Sequence, residues 1–182
     1  MKHQKEREGA CRCIKESPGS ELWIGCTGHT MPKIFDYLNI VNVTYEVPRL
    51  QIVDSLINVI PAGMFKKFRP RNLILESVGL AIFREKSLTP LAEVLRNLSL
   101  RHNIIKHFDT ATMAELKNLE ILDVSYNKFS SLHSNWTSGL FSLTELSFAH
   151  NDISVIHEEA LNHLVNLRSL NLSGNKIKEI TE

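Results

Sequence analysis

The chain has 182 residues, 43% of them apolar and 23% charged, with 21 Lys plus Arg against 20 Asp plus Glu. This composition fits an ordinary globular domain and excludes a disordered polyelectrolyte. The net charge of +1 also argues against a nucleic-acid partner held by bulk positive charge, and no run of 18 apolar residues is present to span a membrane as a helix.

Residues 1–10, MKHQKEREGA, lack the apolar stretch of a signal peptide and are expected to form a disordered tail. A cysteine-containing segment follows over 11–46, with Cys11, Cys13 and Cys26. Its CRC is C-x-C rather than C-x-x-C, which removes the redox and zinc-ribbon readings. From residue 47 the chain is periodic. Val47, Leu50, Ile52, Ile57 and Ile60 form a first apolar set, followed by IPAGMFKKF, and Leu73, Leu75, Leu80 and Phe83 form a second. Four regular segments come next: LRNLSLRHNII from Leu95, LEILDVSYNKF from Leu119, LTELSFAHNDI from Leu143 and LRSLNLSGNKI from Leu167. All fit L-x-x-L-x-L-x-x-N-x-I/F, with Val124 and Phe148 replacing Leu in the third slot, and each starts 24 residues after the last.

The pattern has a direct physical reading. In L-x-L the alternation puts both leucines on one face of a short strand and x on the other. Successive inward leucines then stack into one continuous core. Asn103, Asn127, Asn151 and Asn175 can satisfy backbone groups where the chain leaves each strand. The first two sets carry Ser55 and Val78 instead, which predicts less regular rungs there. Return segments such as HEEALNHLVN, with Ala160, Leu161 and Leu164 on one side, are expected as short helices or irregular turns.

These segments resemble the leucine-rich repeat family, of the 24-residue extracellular type. The resemblance implies an α/β solenoid with a curved parallel sheet on its concave face and six repeats over 47–182. The segment CRC, then LWIGC, then TGHTMPKIF resembles the cysteine-rich N-terminal cap of extracellular members. It implies a Cys11–Cys26 disulfide and leaves Cys13 without its usual partner. The alternative is three free thiols in a cytosolic protein. The last repeat reads as truncated with no C-terminal cap, so the chain is expected to be a fragment, or to have a partner over its end. The order of short cap, irregular first rungs with IPAGMF and regular repeats is also similar to a group of arthropod secreted proteins. These take their name from the non-catalytic leucine-rich subunit of a shrimp luciferase, and the similarity implies a non-catalytic partner subunit.

No phosphate loop, G-x-S-x-G, H-E-x-x-H or Cys/His zinc spacing occurs, so no enzyme, cofactor or metal centre is expected. Function is sought instead in the outward lanes of the strands. The lane two residues past the L-x-L core runs Asp54, Ser77, His102, Tyr126, His150 and Gly174. His102 and His150 stand two rungs apart, about 10 Å, with Tyr126 between them. Metal ligands lie only about 3–4 Å from one another, so this lane reads as a polar and aromatic patch. In the adjacent lane Glu76 and Arg101 are expected to approach closely, with Asp123 diagonal to Arg101, as a surface ion cluster or a charged anchor. The lane between the leucines (Gln51, Ile74, Ser99, Asp123, Ser147, Asn171) is small and polar towards its end.

The expected function is an extracellular or cell-surface module that binds a protein partner through Glu76, Arg101, His102, Asp123, Tyr126, Glu145 and His150, without catalysis. The alternatives are a non-catalytic subunit of a secreted enzyme complex, and an intracellular scaffold or regulator in the cytoplasm. Lys66, Lys67, Arg69 and Arg71 form a basic knot that could meet a polyanion. Sequons occur at Asn42, Asn97, Asn135 and Asn171. Asn97 and Asn171 fall on predicted strands, which leaves Asn42 and Asn135 as the better acceptors.

Overall fold

The computed structural model describes residues 11–15, 22–40 and 47–178. The expected tail over 1–10, the acceptor Asn42 and the last four residues lie outside the described residues. The elements in chain order are β1 (Cys11–Lys15), β2 (Leu22–Thr27), α1 (Met31–Ile40), β3 (Arg49–Val53), β4 (Val59–Ile60), β5 (Asn72–Glu76) and β6 (Ile82–Phe83). They continue with β7 (Asn97–Ser99), α2 (Thr110–Ala114), β8 (Ile121–Asp123), β9 (Ser131–Leu132), β10 (Glu145–Ser147), β11 (Val155–Ile156) and β12 (Ser169–Asn171). One eight-stranded sheet runs β1-β2-β3-β5-β7-β8-β10-β12, and two small sheets pair β4 with β6 and β9 with β11.

The register is the one the periodicity predicts. Leu50, Leu73, Leu98, Leu122, Leu146 and Leu170 are neighbours across six parallel strands. The cap adds a seventh, because β2 pairs in parallel with β3 and sets Ile24 beside Leu50 and Cys26 beside Ile52. Cys26 therefore fills an inward core slot. β1 returns antiparallel on β2 with Cys11 opposite Cys26, and the two are joined by a disulfide, as the cap resemblance implied. Cys13 is a free, exposed thiol. It interacts with Tyr37 of α1, whose phenol pKa is raised, chiefly by burial and then by this thiol. The arrangement is an α/β leucine-rich repeat solenoid. Its helical share is small, since the segment over 157–166 is built of turns.

Inward residues are buried from β2 through the rung of β10, including Ile24, Leu50, Leu75, Leu100 and Phe148. Each such side chain contributes about 1.5–3 kcal/mol relative to exposure. Phe108, Phe129, Phe148 and Trp136 interlock at centroid separations of 5.0–5.9 Å, an aromatic cluster that spans three rungs. Burial fades at the last rung, where Leu170 is 38% exposed.

The asparagine ladder is as expected in kind and wider in reach. Asn127 donates through Nδ2 to the carbonyls of Leu100 (2.8 Å), Val124 (3.0 Å) and Ser125 (3.3 Å), and its Oδ1 accepts from the Ile105 amide at 3.0 Å. Asn103 reaches back into the rung that has Val78, accepting from the amides of Val78 and Leu80 and donating to the Leu75 carbonyl. Ser55 donates to the Val53 carbonyl at 2.9 Å. The first two rungs are therefore not frayed at the sheet. β3 and β5 pair over five residues each, where later strands pair over three. The neighbouring rung supplies the amide that the sequence lacks at Val78.

Candidate functional site

The sheet face is built by the outward residues of the strands and of the turn that ends each rung. That turn has one conformational demand. Asp54, Ser77, His102, Tyr126 and His150 all have φ between 46° and 58°, and Gly28 and Gly174 take φ of 74° and 70° in the same lane. The left-handed region suits glycine, costs most residues about 1 kcal/mol, and is unusual for a bulky side chain. Three consecutive rungs nevertheless place rings there.

The rings stack. His102 and Tyr126 lie 4.3 Å apart between centroids at 16°, and Tyr126 and His150 lie 4.4 Å apart at 12°. The rung spacing itself matches a stacking distance, so identical backbone turns one strand apart hold the rings nearly parallel. All three are exposed, Tyr126 by 40%. The stack ends over Gly174, where a Cβ would come within 2.6 Å of His150 Nδ1. Because Tyr126 intervenes, the two imidazoles do not converge on one point. No group of three or more metal-ligating residues occurs among the described residues.

The charged lane differs from expectation in its pairing. Arg101 Nε lies 3.6 Å from Asp123 Oδ2, an ion contact longer than a hydrogen bond. Glu76 Oε1 instead accepts from Ser99 Oγ at 2.5 Å. Glu76 and Arg101 are thus neighbours on one cleft that pair with Ser99 and Asp123 respectively rather than with each other. The Arg101 guanidinium also lies 5.9 Å from the Tyr126 ring centroid, at the outer limit of a cation–π contact. Around these residues the face forms an open cleft of about 460 Å³, lined among others by Arg49, Ile74, Glu76, Ser99, Arg101 and Asp123. Glu145 is exposed on β10 in the lane of Ile121, with the lanes of Ser147 and Ala149 between it and the stack. The cleft and the stack therefore share Arg101, and six of the seven predicted face residues lie on or beside them.

The remaining candidates are dispersed. Lys67 Nζ donates to the Asn39 carbonyl and Arg69 Nε to the Pro90 carbonyl at 3.2 Å, so two of the four basic-knot cations tie neighbouring segments together. Asn135 is exposed on a 3-10 turn over Ser134–Trp136, while its sequon partner Thr137 is buried and donates to the Ser134 carbonyl. Asn97 and Asn171 lie on β7 and β12 as expected, with Asn97 donating to Asn72 Oδ1. The sequence reading missed a second imidazole pair. His133 and His157, which directly follow β9 and β11, stack at 3.8 Å, and their 24-residue separation was the available signal. Lys176 Nζ meets Asp152 at 2.6 Å and holds that carboxyl below the usual range.

Comparison with known proteins agrees with this geometry in the regular rungs. Residues 93–153 and 121–177 match the family described as Leucine rich repeat. The chain is also 33% identical over 100 residues to P-granule-associated novel protein 1 of Caenorhabditis elegans. That alignment covers 55% of this chain and 17% of the relative's length. Residues 93–177 are leucine-rich repeats by sequence and by fold, a scaffold that points to protein–protein interaction.

Proposed function

We propose that the chain is a non-catalytic protein-binding module whose partner docks on the sheet face around Arg101, Asp123, Tyr126 and the flanking imidazoles. The stacked His102–Tyr126–His150 ladder is the observation that supports this most. Glycine would fill these turns without strain, as it does at Gly28 and Gly174. The rings there add exposed, pre-ordered aromatic area at a backbone cost, and Tyr and Arg are the side chains that most often anchor interfaces. The test is partner capture by the protein and by its Arg101→Ala/Tyr126→Ala variant. Capture should be lost while the far-ultraviolet spectrum and melting temperature stay unchanged. Undiminished capture would place the interface elsewhere.

Two settings compete. The Cys11–Cys26 disulfide and the exposed Asn135 sequon support an extracellular module. The P-granule-associated relative supports an intracellular scaffold. The mass of the native protein, before and after reduction and deglycosylation, separates them. An oxidised pair with a glycan favours the first, and three thiols with no glycan favour the second.

A further inference from the structure

A second cleft lies at the β1 end of the sheet face, with a volume of about 330 Å³. Strand register builds it. Arg12 of β1 stands opposite Gly25 of β2, and Gly25 is in register with Gln51 of β3, so the three share one lane of the face. Ile14, Trp23 and Arg49 form the next lane by the same pairing. Gly25 is required there. A Cβ would stand 2.7 Å from the Trp23 ring and 2.9 Å from Ile14 Cδ1. Where other rungs carry Gln51, Ile74 or Ser99, this rung offers bare backbone between an indole and an isoleucine.

Arg12 is the charged side chain on the described lining, and Arg49, which lines the first cleft, stands beside it against Trp23. Trp23 Nε1 and Arg49 Nε are sealed from solvent without a hydrogen-bond partner. The Arg49 guanidinium lies 4.9 Å from the indole centroid and donates through another nitrogen to Gln51 Oε1 at 2.9 Å. Arg12 and His29 stand on the rim, and no carboxylate is among the described residues that line it. An apolar wall flanked by guanidinium groups, with no carboxylate among the described lining residues, matches a ligand that combines one apolar side chain with carboxylates. The volume suits one or two side chains rather than a folded element.

We propose that this cleft is a docking site for an acidic peptide segment. One apolar side chain sits against Trp23 and Ile14, and flanking carboxylates pair with Arg12 on the lining and with the neighbouring Arg49 guanidinium beyond the indole. The proposal rests on the protein-binding reading of the sheet face, but it concerns the end away from the aromatic ladder. The probe is the peptide Ac-Asp-Glu-Phe-Glu-Asp-NH2, followed through the amide and Trp23 indole resonances of the labelled full chain. A saturable shift centred on Trp23 and Gly25 is expected. Arg12→Glu, an exposed substitution, should weaken it about tenfold or more, through loss and reversal of a charge contact. Ac-Lys-Lys-Phe-Lys-Lys-NH2 and sodium acetate should give no saturable shift. The proposal is overturned by equal binding of the lysine peptide, by unchanged binding in Arg12→Glu, or by no binding of the acidic peptide at about 1 mM. Saturable binding of acetate alone would reduce the site to a small-anion site and overturn the peptide reading. Arg101→Ala/Tyr126→Ala should leave peptide binding intact, so failure of the cleft and failure of the ladder as an interface are distinguishable.

Discussion

Replacing Asn127 by Ala tests whether the asparagine ladder holds the rungs together, and the bond network sets the magnitude. Asn127 is 2% exposed and makes four backbone hydrogen bonds. Its three acceptors each keep another donor: Asn103 Nδ2 on the Leu100 carbonyl, Asn151 Nδ2 on Val124, and the His102 amide on Ser125. The Ile105 amide has no second acceptor, and its bond to Asn127 is closed to water because both residues are buried. The orphaned amide costs about 1–3 kcal/mol, and the other three bonds contribute less than their usual 1 kcal/mol each because their acceptors stay partly satisfied. The expected loss is about 3–4 kcal/mol. Asn175 makes three of the four corresponding bonds, to Ile153, Phe148 and Leu172. Although Ile153 is itself buried, the Asn175 side chain is half-exposed and its bond to the Ile153 amide is open to solvent on one side. Water can replace it there, so Asn175→Ala should cost only about 1 kcal/mol. Urea unfolding followed by circular dichroism and by Trp136 fluorescence measures both. Equal costs at the two positions, or a cost under about 1 kcal/mol for Asn127, would refute the argument that the ladder acts by satisfying buried amides.

Two further predictions concern the ends and the waist of the stack. The disulfide closes a separation of 15 residues, which corresponds to about 3 kcal/mol in the chain-entropy account. Cys11→Ala with Cys26→Val keeps an apolar residue in the slot beside Ile52, so the cap transition seen by Trp23 should weaken by that amount. An unchanged Trp23 transition would show that the sheet pairing alone holds the cap. At the waist, a Cβ on Gly139 would lie 1.9 Å from the Ala114 carbonyl oxygen and 2.3 Å from its carbon. Backbone cannot yield as a side chain does, so Gly139→Ala should cost about 3 kcal/mol or prevent folding, and a cost under about 0.5 kcal/mol would refute the close approach.

The sheet was legible because its signal is redundant. Leu50 to Leu170 fall in register since each rung repeats the same inward pair, and one irregular rung cannot shift the others. The cap strand was not legible. Ile24 and Cys26 supply only one copy of the pattern, and Gly25 between them reads as a break rather than a strand. The left-handed lane was visible as a column of residues, but its conformation was not. Only Gly28 and Gly174 signal positive φ, and the five residues between them conceal it. The pairing of Glu76 with Ser99 depended on side-chain reach, which spacing along the chain does not encode.

The lane of rings separates scaffold from recognition within a single position. The turn requires a left-handed backbone at every rung, and glycine meets that requirement at both ends of the lane. The backbone therefore does not demand rings at His102, Tyr126 and His150. Stacking contributes about 0.5–1.5 kcal/mol for each contact, comparable to the strain it accompanies, so the two nearly cancel in the free protein. What remains is an ordered, exposed aromatic surface beside Arg101 whose side chains lose little freedom on contact with a partner. A disordered aromatic loop of the same composition would have to be ordered first, at about 0.5–1.5 kcal/mol for each side chain. The ladder reaches the partner already ordered, and the inward leucines that hold its turns one rung apart are what keep it so.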